Sequence, residues 1–251
     1  MTPPAFDGSI TVSPKNADIA AQLRGEFPAI SVGRSNQDVL DRSDLVLLTV
    51  RPQTSAEIIS QLSFRPDHCV VSAVAALSRE RLLELVAPAR TVVKSIPLPT
   101  VAQRRGVTVL YPSHPDVNEL FDTLGSALPV GDEFEFSAMS SATAVVASYA
   151  ALAQTTASWL GAHGLDALQA RNYVKALLAG IVDAADHSTE SFTEIAESHA
   201  TKGGLNEQLR LFLEEKGLFA SLSDGLDRGV MERVTGKPRY TGDAQQAAAR
   251  Q

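Results

Sequence analysis

The sequence predicts an α/β domain built on a parallel sheet, followed by an all-helical domain. Two observations carry this. Val- and Leu-rich runs alternate with helical segments up to residue 132, and no convincing strand follows Ser137. SITV (9–12) reads as a strand and 15–25 as a helix. AISV (29–32), a helix near 36–42 and DLVLLTV (44–50) come next. A helix over 54–62, HCVVSAVA (68–75), a helix near 78–86 and TVVKSI (91–96) follow. VTVLY (107–111), a helix over 114–124 and ALPV (127–130) end the series. Apolar strands that alternate with helices belong to a parallel sheet covered on both faces.

The second half reads as helices over 138–162, 166–187, 190–198, 205–216 and 218–234. Breaks fall at Gly161/Gly164, His187-Ser188, Gly203-Gly204 and Gly217. The composition shift divides the chain into domains at 1–132 and 133–251. The tail KPRYTGDAQQAAARQ is polar and reads as frayed.

With 44% hydrophobic and 20% charged residues, the composition is that of a soluble globular protein. The net charge of -7 and the single adjacent basic pair, Arg104-Arg105, argue against a nucleic-acid partner. The lone Cys69 lies in an apolar run and reads as an inert thiol. MTPPAFDGSI carries no basic or apolar signal-peptide region, so a reducing cytoplasm is expected. Residues 136–165 contain no Asp, Glu, Lys or Arg, a length that could span a bilayer. Their Ala, Ser, Thr and Gln content points instead to a helix buried in protein, with no membrane partner. Four short helices of one chain cannot readily cover that surface, so a homodimer is expected.

An α/β domain followed by a helical one suggests a Rossmann-like dinucleotide-binding protein. Such a domain opens with a strand, a G-x-G-x-x-G turn and a helix, whose amides hold a pyrophosphate. No G-x-G occurs anywhere in the chain, and the opening strand is missing too. In the strand order 3-2-1-4-5-6, losing strand 1 leaves two apolar edges facing a gap. The fold class is thus a Rossmann-like parallel sheet lacking its first strand, followed by an all-α dimerisation domain. Met1–Phe6, with Pro3-Pro4, reads as the end of a preceding helix. An upstream frame encoding the absent βα unit is therefore expected.

Five segments, in order, resemble the pyrroline-5-carboxylate reductase family. ITVSPKN (10–16) is similar to its second strand, and LLTVRPQ (47–53) to its strand ending in Lys-Pro-Gln, with Arg51 for the lysine. VVSAVAAL (70–77) is similar to its Ser-Ile-Ala-Ala-Gly loop, with Leu77 in place of the glycine. VVKSIPLPTVAQRRGVTVLYP (92–112) keeps Pro97 and Gly106 of its Arg-x-Met-Pro-Asn segment but has Leu98 for the asparagine. ATKGGLNEQLRLFLEEKGL (200–218) is similar to its Ser-Pro-Gly-Gly-Thr-Thr helix start. There Thr201 matches the serine, Lys202 replaces the proline, and Leu205 and Asn206 replace the threonines.

The resemblance implies NADPH-dependent hydride transfer to a cyclic imine such as 1-pyrroline-5-carboxylate, as in proline biosynthesis. It implies a cofactor site of Ser13, Lys15, Asn16, Val50, Arg51, Pro52 and Ala75. A basic residue without an acid after the second strand suits the NADP phosphate. Pro97, Gly203, Gly204 and Asn206 are the implied substrate residues, in a pocket expected between the domains, with Thr201 and Asn206 closest to the chemistry. The substitutions mark a divergent branch. Two alternatives stand beside this reading: a non-catalytic remnant that dimerises without cofactor, and an NADP-linked reductase of the same plan with another substrate. His68, His114, His163, His187 and His199 lack metal-ligand spacing, so no metal is expected. Glu190, Glu194 and Glu197 share a helix face and read as a solvated stripe, although the resemblance implies an acid bordering the substrate near Glu190.

Overall fold

A computed structural model describes residues 8–75 and 77–236 of the chain. The readings made for Met1–Phe6 and for the tail at 237–251 lie outside these residues. The described part divides into two compact units. The first comprises residues 8–140 with Val234–Gly236, and the second Ser141–Arg233.

The first unit opens with β1 (Ile10–Val12), α1 (Ala17–Glu26), β2 (Ile30–Val32) and α2 (Asn36–Asp41). Asn16 and Ser35 cap the two helices, accepting from the Ile19 and Asp38 amides. Next come β3 (Leu45–Leu48), α3 (Pro52–Ser60), β4 (Cys69–Ser72), α4 (Arg79–Leu85) and β5 (Thr91–Ile96). A 3-10 turn at Pro99–Gln103 leads to β6 (Val107–Tyr111), α5 (Pro115–Thr123), β7 (Ser126–Pro129) and α6 (Glu133–Ala142).

The strands form two sheets. β1 and β2 pair in parallel, and β3-β4-β5-β6-β7 form the second sheet. β1 and β3 are not hydrogen-bonded to each other, so the sheet breaks where a central strand was expected. One pairing departs from the all-parallel expectation: β6 runs antiparallel to β5, with Lys94 opposite Tyr111 and Ile96 opposite Val109. The reason is the connection. Residues 97–106 hold only a 3-10 turn and no crossover helix, and a parallel return needs one.

Strand alternation builds the core on both faces. Val70 and Val92 point into one cluster with Leu40, Leu48, Ile59, Phe64, Leu82 and Val86. Val71 and Val93, one residue on, point into the other with Leu110, Val117 and Phe121. Near the break this cover thins, and Leu47 of β3 is 53% exposed.

Besides the buried Leu40, a polar clamp ties α2 to the larger sheet. Gln37 pairs with the Ser63 backbone, its Nε2 donating to Ser63 O at 3.1 Å and its Oε1 accepting from Ser63 N at 2.8 Å. Arg65 donates to the carbonyls of Asp41 and Ser43, each at 3.2 Å, and pairs with Asp44. The buried His68 accepts from the Arg65 amide through Nδ1. Burial, and then the Arg65 charge, push its imidazole below the ordinary histidine range.

The second unit is helical: α7 (Val145–Ala162), α8 (Ala167–Asp186), α9 (Phe192–Ser198), α10 (Leu205–Glu215), α11 (Leu218–Asp224), a π-helical stretch at Gly225–Met231 and α12 (Glu232–Val234). The helix expected over 138–162 is two helices, α6 and α7. α7 and α8 pack as a hairpin whose turn contains Gly164 at φ +95°. Asp166 caps α8, and Ser191 and Glu194 form a capping box on α9.

Removing the clamp should loosen one part of the first unit before the rest. Arg65→Ala deletes hydrogen bonds to backbone carbonyls of a part-buried loop and should cost about 1–2 kcal/mol. Hydrogen exchange should quicken first in β1, α1, β2 and α2. Leu82→Ala, by contrast, should cost about 2–5 kcal/mol and expose the whole core together. Uniform exchange changes in Arg65→Ala would show that α2 is not the tie.

Candidate functional site at the strand ends and the start of α10

The candidate cofactor residues follow strand ends in three groups, two of which the register of the larger sheet sets side by side. The first follows β1. Ser13 Oγ donates to Asn36 Oδ1 at 2.6 Å, and the Lys15 amide donates to Ser13 Oγ at 3.2 Å. Asn16 Oδ1 accepts from Ile19 N at 3.1 Å. Ser13 and Asn16 therefore pin the turn and cap α1, while Lys15 is exposed. The second group, Val50, Arg51 and Pro52, follows β3. Pro52 opens α3, and Arg51 caps it without a side-chain hydrogen bond. The register Leu48 opposite Ser72 sets this group beside the third, Ala73–Ala75 after β4. β5 lies next in the sheet, with Ser72 opposite Lys94, so Pro97 ends up at the same edge.

Two features fix that edge. Ser95 Oγ donates to Ser72 O at 3.3 Å. Lys94 Nζ, nearly buried, pairs with Glu133 Oε1 at 2.8 Å and stands 4.7 Å from the Phe136 ring centre. Glu133 also accepts from the Arg79 amide at 2.9 Å. Burial pushes the Glu133 carboxyl up. The Lys94 and Arg79 hydrogen bonds and charges outweigh it, and the net shift is downward. Lys94 is thus a neutralised anchor for α6 rather than a binding cation. Sequence reading missed it, because its partner lies 39 residues away.

In the second unit the residues Thr201, Gly203, Gly204 and Asn206 form one loop at the start of α10. Gly203 adopts φ +75°, and a Cβ on Gly204 would meet Thr201 O at 2.8 Å, so both positions require glycine. Gly204 N donates to Thr201 O at 2.7 Å. Asn206 Nδ2 donates to His199 O at 2.9 Å. The Gly203 amide donates to Glu207 Oε2 at 2.6 Å. Glu207 was not singled out in the sequence. Its signal is an acid in the first turn, four residues after a glycine.

Among the other candidates, Cys69 is a partly buried thiol. Burial, and then the Asp116 carboxylate, push its pKa up, which keeps it protonated and unreactive. Glu194 is consumed in the α9 cap. Glu190 accepts from Ser188 Oγ at 3.1 Å. Among the described residues no group of three His, Cys, Asp or Glu side chains converges as a metal site.

Residues 7–76 match the family model described as "NADP oxidoreductase coenzyme F420-dependent". A pyrroline-5-carboxylate reductase of Pseudomonas aeruginosa is 28% identical over 139 residues, 52% of this chain and 50% of that protein. The chain thus spans about half the length of this curated relative. The solved 1-pyrroline-5-carboxylate reductase of Streptococcus pyogenes has a TM-score of 0.81 at 20% identity, covering 92% of this chain and 91% of that one. The Plasmodium falciparum pyrroline carboxylate reductase, solved with NADP bound, has a TM-score of 0.72 at 16% identity, covering 82% and 81%. The fold is therefore the one these reductases share.

The Lys94–Glu133 pair makes a pH-dependent contribution to stability. A carboxyl held below its ordinary value stabilises the fold above the unfolded-state pKa and loses that contribution as pH falls through the folded-state pKa. Glu133→Gln should lower Tm at pH 7, and its deficit against the unmodified protein should shrink on acidification below the ordinary glutamate range. A deficit that stays constant down to pH 3 would remove the pair from the acid response.

Proposed function

We propose that the chain is a divergent member of the pyrroline-5-carboxylate reductase family and that it transfers a hydride from NADPH to the carbon of a cyclic imine; the fold it shares with those reductases and the 28% identity over 139 residues support this. The observation that carries this reading is the common edge of β3, β4 and β5, where open α/β sheets bind ligands. Exposed Lys15 at the end of β1, with no acid in the turn, suits a ribose phosphate rather than a bare 2'-hydroxyl. Ser13 shapes that turn. Val50, Pro52 and Ala75 flank the next strand ends with small or apolar surface, and exposed Arg51 adds a cation there. The residues present thus fit the phosphate-bearing end of NADPH. They include no glycine-rich turn for its pyrophosphate.

When bound, the cofactor supplies the hydride, and the protein supplies alignment and exclusion of water. Pro97 borders the edge where the nicotinamide would lie. Thr201, Gly203, Gly204 and Asn206 are assigned to the substrate, with Thr201 and Asn206 closest to the reacting atoms. An imine that arrives protonated needs no strong general acid, and no acid–base pair is required of the loop. A cytoplasmic location fits the single unpaired thiol.

We further propose that the second unit is a homodimerisation module. Its apolar residues find little cover within one chain. Among the described residues only Ala170, Val174 and Ile195 of them are buried, while Val146, Trp159, Leu168, Tyr173 and Leu209 are each more than half exposed. The stretch Glu133–Ala162 is long and apolar enough to cross a membrane by length and composition, with 17% of its best window buried. The apolar exposure continues onto α8 and α10, which also carry Arg171, Lys175, Glu207 and Arg210. A protein partner with matching polar positions satisfies both; a bilayer satisfies only the first. A second copy is the simplest such partner.

Three outcomes test these readings. NADPH should raise Tm of the purified chain and support reduction of members of a cyclic-imine panel; no stabilisation would favour the non-catalytic alternative. Lys15→Asp should weaken NADPH by roughly tenfold or more, the value of one charged hydrogen bond, and spare NADH. Tighter NADH binding by the unmodified chain would overturn the assignment of residues 13–16. Sedimentation should give a dimer at micromolar concentration, and Leu152→Glu should dissociate it. A stable unmodified monomer would refute the module.

A further inference from the structure

We infer that His68 is a pH-sensitive pin: its neutral ring fixes the turn that carries Arg65, and a proton on Nδ1 opens that turn and loosens the segment from β1 to α2. The turn is closed from both sides. The Arg65 amide donates to His68 Nδ1 at 3.0 Å, and the His68 amide donates to Arg65 O at 3.3 Å. A backbone amide can only donate, so Nδ1 is the unprotonated nitrogen of the ring. Its proton sits on Nε2, which is buried with no hydrogen-bond partner among the described residues. A second proton would set N–H against N–H at Nδ1, in a residue with no exposed surface. A buried charge without an acceptor is relieved when the ring leaves for solvent, and the turn leaves with it.

The turn supports more than itself. From it the Arg65 side chain reaches the carbonyls of Asp41 and Ser43, at the end of α2 and just beyond. Gln37 and Leu40 remain when these bonds go, so the segment loosens without detaching. The charged groups around the ring are Arg65 and Asp67 on its own loop and Asp44 at the head of β3. α2 presents the Leu40 carbonyl, and the Phe64 ring stands edge-on 5.9 Å away. Burial and then Arg65 oppose a charged ring and outweigh the carboxylates and the carbonyl, which favour it. A histidine held below its unfolded-state pKa of about 6.5 contributes in full above that value. The contribution then falls as pH drops from about 6.5 toward the folded-state pKa. Lys15 lies on the same segment, so acid also weakens the proposed contact with NADP, a consequence that rests on the cofactor reading.

Hydrogen exchange on the full chain at pH 7.5 and 5.5, expressed as protection factors to remove the intrinsic effect of pH, tests the pin. One unit below its pKa an ordinary histidine is about ten to one charged. Protection over residues 10–41 should therefore fall by up to about tenfold at pH 5.5, while β4 and β5 change less than about twofold. His68→Asn keeps an acceptor oxygen near the Nδ1 position and cannot titrate, so its 10–41 protection should be insensitive to this pH change. His68→Phe keeps a ring without an acceptor, and its 10–41 protection should be low at both pH values. His114, which follows β6, is common to all three proteins, so its titration cancels. Undiminished 10–41 protection in the unmodified protein at pH 5.5, an equal loss across the whole first unit, or the same acid loss in either variant would overturn the inference. Calorimetry with NADP at both pH values separates the two readings. Affinity should fall with acid more steeply in the unmodified protein than in His68→Asn. If the exchange contrast holds but the two proteins lose NADP affinity equally, the pin stands and the placing of Lys15 against the cofactor fails.

Discussion

The parallel pairing of β3, β4 and β5 is the constraint on which the rest depends. Each parallel step requires a helix to carry the chain back, so every strand points the same way and every carboxyl end reaches one edge. That is how Val50–Pro52, Ala73–Ala75 and Pro97 become neighbours though far apart in sequence. The same pairing decides the core. Val70/Val71 and Val92/Val93 seal opposite faces, and each face takes its own set of helices. Where the returning helix is absent, between β5 and β6, the direction reverses, and beyond Pro97 the edge receives the amino ends of β6 and β7 instead of carboxyl ends.

β1 and β2 pair in a sheet of their own. α2, which follows β2, meets the larger sheet in two ways: Leu40 is buried in its core cluster, and the Gln37 amide and Arg65 bond to backbone groups beside it. No shared ladder of backbone bonds joins β1 to β3, so the turn bearing Lys15 is held through α2 rather than through the sheet. Ser13 and Asn36 stiffen it locally, which orders the turn without anchoring it to β3.

Much of this was legible in the sequence, for physical reasons. Runs such as DLVLLTV and HCVVSAVA announce buried parallel strands, and the lack of any G-x-G announces the missing central element, which appears as the break between β1 and β3. The helix caps Asn16, Ser35, Ser78 and Asp166 stand where the residue types say they should. What escaped was set by distance or by competition. The Lys94–Glu133 pair joins strand to helix across 39 residues, and no local pattern reveals it. Asn16 and Asn206, read as ligand-facing, each also spend one side-chain atom on a backbone group. A polar residue in a turn has two uses, and the sequence does not say which one it serves.

Glu207 shows the same ambiguity resolved in the other direction. A glycine pair before a helix advertises open amides, and such amides are read as an anion site. Whether they are open depends on a carboxylate one turn away, which reaches back only if the glycine takes a positive φ and the helix starts at the right residue. Gly203 at φ +75° and α10 beginning at Leu205 meet both conditions. Local backbone geometry thus satisfies the amide that precedes the helix, with no change in the glycines themselves.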